Sequence, residues 1–156
     1  MPLWLHIMTF KQKIKSHYIH LLEAKILTLQ NQITDLTTDA QNDAKGLAGD
    51  KHETALAMMH LEQEKLNQKL AEISNQKSIL EAIDCNVSHK VIALGSLVKA
   101  NDIYFFIATA LPQITLDEAT VFGVSSQSPI GVQFMGKKAG DSIQVNAITY
   151  KIDSVF

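Results

Sequence analysis

The sequence predicts two domains: an all-α antiparallel coiled-coil hairpin, then a compact α+β domain with a twisted antiparallel sheet and one short helix. Two heptad seams lie on either side of a glycine-containing break. Past residue 84 the heptad spacing gives way to short runs rich in Val, Ile, Phe, Tyr and Thr. Within that second half, one segment carries the start and stop signals of a short helix.

The first seam runs Ile19, Leu22, Ile26, Leu29, Ile33, Leu36, Ala40, with spacings that alternate three and four. That spacing keeps one apolar stripe on one side of a helix. It fades at Asp43, and Lys45-Gly46-Leu47-Ala48-Gly49 favours a turn. The second seam runs Leu56, Met59, Gln63, Leu66, Leu70, Ile73, Lys77, Leu80, interrupted by Gln63 and Lys77. No proline falls between Pro2 and Pro112, so nothing forbids long helices. Two such helices joined by a short loop fold back as an antiparallel hairpin. Arms of about 35 residues at 1.5 Å per residue reach on the order of 50 Å. That exceeds what a small core uses, so the hairpin is expected to reach into or bridge another body. It is placed at residues 9–84.

The compact domain is placed at residues 91–156. Ala93–Val98, Tyr104–Ala110, Thr120–Ser125, Ser142–Asn146 and Ile148–Val155 read as strands, separated by polar or glycine-containing turns. Between two of them, Ser128 suits an N-cap, Pro129 the first helical position and Gly136 the residue past the end. Tyr104, Phe105, Phe106, Phe122 and Phe134 are read mostly as core.

Composition narrows the function classes. The 156 residues are 46% hydrophobic and 19% charged, which is not a disordered composition. The net charge is −2, and all 14 basic residues are lysines. The lack of arginine argues against nucleic-acid binding through the chain's own surface. Four lysines against one glutamate in residues 1–25 read as a solvated helix face. Cys85 is the one cysteine, so no internal disulfide forms, and a reducing, cytoplasmic setting is expected. Met1 to Phe10 is apolar but lacks a basic leader region and a small-residue cleavage site, and no run reaches membrane-span length. Met8 reads as the natural start, with residues 1–7 an upstream extension.

The ordered set Ser128-Pro129, Gly136-Lys137 and Gly140-Asp141, followed by Ser142-Ile143-Gln144-Val145, resembles the C-terminal domain of the Gre transcript-cleavage factors. Gly95-Ser96-Leu97-Val98 and Ile148 to Val155 fit that domain's course, and the resemblance spans roughly residues 9–156. It implies an FKBP-like C-terminal fold that docks on bacterial RNA polymerase, with Ser128, Pro129, Gly136, Lys137, Gly140 and Asp141 as the docking motif. It also implies a hairpin whose tip enters the secondary channel. The family tip reads Gly-Asp with an acid three residues on; here it is Gly49-Asp50-Lys51-His52-Glu53.

The resemblance makes Asp50 and Glu53 the catalytic and metal-binding pair. Residues three apart at a helix start share a face. Mg²⁺ takes oxygen ligands, commonly one or two carboxylates plus waters and phosphate, and a metal-activated water can attack a phosphodiester. The implied ion is shared with RNA polymerase and not held by the free protein. The substrate is the backtracked RNA 3′ end, and the chain alone is not an enzyme. It is expected to be monomeric and away from membranes. Local sequence also supports a plainer reading, because Asp-x-x-Glu before an apolar run is a capping-box variant. Thr54-Ala55-Leu56-Ala57, smaller and more apolar than the family's usual run, keeps open a channel regulator without cleavage. A chaperone-like or prolyl-isomerase module with a coiled-coil arm is the third reading, though no local signature for it is present.

Asp35, Asp39 and Asp43 form a ladder near the tip. With Asp50 and Glu53 they face only Lys45 and Lys51, a net −3 for residues 35–53. A solvated face is the plain reading; the sharper one is that this charge holds the tip off nucleic acid until a metal bridges them. His52 is read as exposed, Met58 and Met59 as packing, and Cys85 as a buried or inert thiol. His17, His20, His60 and His89 lack a metal-site spacing.

Overall fold

The computed structural model describes residues 9–45 and 50–156. Its elements are α1 (Phe10–Lys45), α2 (Asp50–Ala82), β1 (Leu97–Ala100), β2 (Ile103–Ala108), β3 (Leu111–Leu116), β4 (Ala119–Ser125), α3 (Pro129–Phe134), β5 (Ser142–Val145) and β6 (Ile148–Val155). The two long helices, the six-stranded sheet and the single short helix match the predicted fold class. The turn expected at 46–49 and the extension suggested at 1–7 lie outside the described residues. Two compact units result: His20–Lys77, and the described residues up to Ile19 together with Ser78–Phe156.

The His20–Lys77 unit is a helical pair held by its seams. From Leu22 to Lys77 every described seam position is buried or half-buried, whereas Leu27, Met58 and Leu61, off the seam, are exposed. The two polar interruptions are matched across the seam. Gln63 Nε2 donates to Thr37 Oγ1 at 2.6 Å, and Lys77 Nζ lies 3.6 Å from Glu23 Oε1. Partner numbers rise along α1 as they fall along α2, which is antiparallel pairing. Thr28, Thr34, Thr37 and Thr38 turn their hydroxyls onto carbonyls four residues back. These β-branched residues therefore sit in the helix with their polar atoms satisfied.

The other unit is built on a sheet of order β3-β4-β2-β1-β6-β5. β2 and β4 run parallel and the remaining pairs antiparallel. The parallel pair was not expected; it follows from β3, which the sequence pattern hid. Pro112 at its second position cannot donate to a ladder, which demotes a run to an edge. β3 is indeed an edge strand, with its register irregularity between Leu111 and Ile114. Because β3 intervenes, β4 returns beside β2 in the same direction.

Three two-residue hairpins close this sheet through Asn101-Asp102, Asp117-Glu118 and Asn146-Ala147, all with φ between 50° and 66°. Positive φ at both central residues matches the right-handed twist of the flanking strands.

β2 is buried on both faces, as its unbroken apolar run IYFFIA requires. Phe105 and Ile107 face a core with Val98, Phe134, Ile143 and Ile152. Phe105 packs against Phe134, Tyr150 and Phe122 at ring separations of 5.2, 5.6 and 5.9 Å. The opposite face is covered by the first turns of α1. Phe10 meets Tyr104 edge-on at 5.0 Å, and the fully buried Tyr18 hydroxyl donates to Pro112 O at 2.8 Å. Among the described residues no helix is long and apolar enough to cross a membrane.

Candidate functional site

Two places carry the residues singled out from sequence. The first is the end of the His20–Lys77 unit where α1 and α2 are joined. α2 begins at Asp50, so the acid pair occupies the first turn of a helix. Glu53 is exposed, and His52 is half-buried and engaged in an interaction, not simply exposed as expected. The side chain of Asp50 lies outside the described residues, as does that of Asp43; Asp35 and Asp39 are exposed, as the solvated-face reading expects. Among the described residues no group of three or more His, Cys, Asp or Glu side chains could hold a metal. Two carboxylates on one turn are hard oxygen donors suited in chemistry to a divalent cation, and they fall short of filling its shell.

The second place is the connection through α3 to β5. Ser128 caps α3: its Oγ accepts from Gly131 N at 3.1 Å and donates to Ser125 O at 2.7 Å. Pro129 opens the helix, where its missing N–H costs nothing. Gly131 has no room for a side chain, because a Cβ there would lie 1.9 Å from Ser125 O. Gly136 adopts φ +81° past the helix end, and its N–H donates to Ile92 O at 2.9 Å. Ile92 N returns a bond to Lys137 O at 2.8 Å. Gly140, at φ +94°, donates to Ile152 O, and Asp141 Oδ2 accepts from Lys138 N at 3.0 Å. The ordered motif thus builds one connection, tying α3 to the residues before β1 and to β6. Lys137 presents an exposed side chain, and Val132 on α3 and Met135 just past its end are exposed apolar side chains.

Two of the lysines read as a solvated face depart from it, Lys11 and Lys15, while Lys13 and Lys25 are exposed as that reading expects. Lys11 is 5% exposed, and its ammonium donates to Val87 O at 2.9 Å and Phe156 O at 3.2 Å. Lys15 donates to Glu81 O and Ile83 O, supplying a cation and donors at the C-terminus of α2. Lys13 pairs with Asp117 at 3.1 Å. The heads of Lys11 and Lys15 thus find main-chain oxygens although the side chains are largely withdrawn from solvent. A signal for this existed: Ile14 and Tyr18 precede Leu22 at spacings of four, so the buried stripe starts before the seam read from sequence.

Burial sets the local electrostatics. It pushes the Lys11 ammonium below its usual range, opposed by the charges of Cys85 and Asp84. Burial likewise pushes the Cys85 thiol up, against the pull of Lys15 and Lys11, which fits the inert thiol expected. Tyr18 is pushed up to about 12 by burial. His89, which showed no pattern in sequence, places Nδ1 2.7 Å from Ser96 Oγ. That oxygen also accepts from Ala93 N at 2.9 Å. Burial and then Lys11 hold His89 below its usual range.

No protein-family model matches the chain. No curated protein matches it either. The solved structure of the transcription factor Gfh1 is similar over 88% of this chain and 92% of that one, at 16% identity and a TM-score of 0.34. A likeness at that score carries no argument about function.

Proposed function

We propose that this chain is a bacterial transcription factor of Gre type that binds RNA polymerase through the secondary channel and stimulates cleavage of backtracked RNA. The observation that carries the reading is the position of the acid pair. Asp50 opens α2 and Glu53 follows three residues later, at the joined end of a helical pair whose seam is closed by its own side chains. The ordered motif from Ser128 to Asp141 supports it, since it resembles the family's docking domain and forms one continuous connection here.

The chain's own contribution is delivery. Two carboxylates on one helical turn offer hard oxygen ligands on one face. A divalent cation shared with the polymerase would polarise the scissile phosphate and lower the pKa of the attacking water. Asp50 and Glu53 would supply part of that ion's coordination shell, with the rest coming from the polymerase, the RNA and water. The free protein is therefore not an enzyme.

The test uses Asp50→Ala with Glu53→Ala. In a backtracked elongation complex the double variant should bind polymerase as the wild type does and lose roughly a hundredfold or more in cleavage rate, the scale of deleting a group that stabilises transition-state charge. Equal cleavage by both proteins removes the catalytic assignment. Binding without cleavage by the wild type selects the channel regulator, the reading that Thr54-Ala55-Leu56-Ala57 favours. No binding to purified polymerase ends both.

A further inference from the structure

The seam between α1 and α2 carries polar side chains where apolar ones would pack as well or better. We propose that these contacts, Thr37 with Gln63 and Glu23 with Lys77, form a two-point lock that specifies the register of α1 against α2. The inference rests on the His20–Lys77 unit alone and stands apart from the polymerase reading.

A heptad seam does not choose its own register. Apolar residues recur every three or four positions on both helices, so sliding one helix by a layer again sets apolar residues against apolar residues. α1 ends at Lys45 and α2 starts at Asp50, and the terminal turns of helices fray. A short connection by itself therefore leaves a slip of one turn open.

The polar contacts remove that freedom. Gln63 Nε2 donates to Thr37 Oγ1 at 2.6 Å, and the same hydroxyl donates to Ile33 O at 3.0 Å. The bond to Ile33 O fixes the hydroxyl so that its lone pairs meet the amide from α2. Lys77 Nζ lies 3.6 Å from Glu23 Oε1, with the two side chains 30% and 49% exposed. Glu23 and Thr37 lie two heptads apart on α1, as Gln63 and Lys77 do on α2. Glu23 and Thr37 also each directly follow a seam leucine, Leu22 and Leu36. The two contacts are thus one arrangement repeated, and a single shift breaks both.

A slip of one layer in one direction sets Gln63 at Ile33; in the other it sets Lys77 at Ile26. The residues that directly follow those isoleucines, Thr34 and Leu27, are exposed, whereas Thr37 is half-buried beside the seam. Neither slip keeps Thr37 or Glu23 in reach. An amide or ammonium drawn from water without its partner is penalised, so the slipped states lose population. Polar seam residues give up some stability in exchange for a single register.

The experiment introduces Thr37→Val, Gln63→Leu and Lys77→Leu together in the full chain and follows the amide resonances of α1 and α2 by NMR. The wild type should give one set. The triple variant should show a second set carrying about a tenth of the intensity or more, the population of a state close in free energy. Moving the hydrogen-bonded pair by one heptad on both helices, with Gln30→Thr and Leu70→Gln added to the triple variant, should restore one set. If the triple variant does not fold, Thr37→Val with Gln63→Leu decides the matter. That protein is read in about 0.1 M and about 1 M salt, because salt screens the partly exposed Lys77–Glu23 pair. Its second set should grow several-fold with salt while the wild type keeps one. A single set in every variant at either salt, or a second set that persists after the pair is moved, would overturn the assignment.

Discussion

Replacing Gly131 with alanine sets helix propensity against packing. In an ordinary helix interior alanine is better than glycine by about 0.8–1.0 kcal/mol. Here the new Cβ would lie 1.9 Å from Ser125 O and 2.9 Å from Ser128 Oγ. Carbon contacts settle near 3.5 Å, so α3 or the Ser125 turn must move by roughly 1.5 Å. That turn is tied down: Ser125 O accepts from both Ser128 N at 3.1 Å and Ser128 Oγ at 2.7 Å, and Ser128 Oγ caps Gly131 N. Losing the cap costs about 1 kcal/mol, and losing the two bonds to Ser125 about 1 kcal/mol each. Set against the propensity gain of about 1 kcal/mol, Gly131→Ala should destabilise by about 2 kcal/mol. At this chain length that lowers Tm by roughly 4–8 °C. Circular dichroism melts read it directly, with the exposed Gln133→Ala in the same helix as a control expected within about 0.5 kcal/mol of wild type. An unchanged or raised Tm for Gly131→Ala would refute the claim that α3 is pinned to the Ser125 turn.

Three further outcomes follow from the same geometry. Ala147 holds φ +65° in the β5–β6 hairpin, so Ala147→Gly should stabilise by about 0.5–1 kcal/mol by relieving left-handed strain; a lower urea midpoint would contradict this. His89 is held below its ordinary 6.5 by burial and Lys11, so the unfolded chain takes up its proton first. The stability it contributes is complete above the unfolded pKa and is lost as pH falls through the folded one. The urea midpoint of the wild type should therefore drop from about pH 7.5 to about pH 5 by more than that of His89→Asn, and equal drops would remove His89 as the cause. If the polymerase reading holds, Lys137→Glu should weaken polymerase binding several-fold and leave the melt within about 0.5 kcal/mol of wild type, because this side chain is exposed.

Much of this architecture was legible because a single physical signal repeats over many residues. The heptad seams bury one stripe per helix, and even their polar breaks, Gln63 and Lys77, found partners across the interface. α3 was legible from three positions, Ser128, Pro129 and Gly136, since capping and helix exit are local chemistry. The misses are cases where a distant partner decided the outcome. Pro112 disguised β3, and without β3 the parallel β2–β4 pair cannot be inferred. Asp117-Glu118 makes a tight hairpin without a glycine, so the usual turn signal was absent there. Lys11 and Lys15 looked like solvent-facing charges because their acceptors are main-chain oxygens 66 to 145 residues away in the chain.

The two sets of residues behind the functional reading carry different kinds of information. In the Ser128 to Asp141 stretch, the serine hydroxyl, the proline ring, both positive-φ glycines and the aspartate carboxylate are each used by the fold itself. A resemblance at such positions reports how a connection is built, and substituting them disturbs docking and stability together. Lys137 is the motif position whose exposed side chain can change without touching that connection. The acid pair differs again, because Glu53 is exposed at the start of α2. A capping role would make its loss a stability effect of about 1 kcal/mol with no consequence for RNA. A delivery role would leave the helix nearly intact and abolish cleavage. Measuring the melt and the cleavage rate on the same Glu53→Ala protein therefore separates the two roles, which the spacing of the acids alone leaves superimposed.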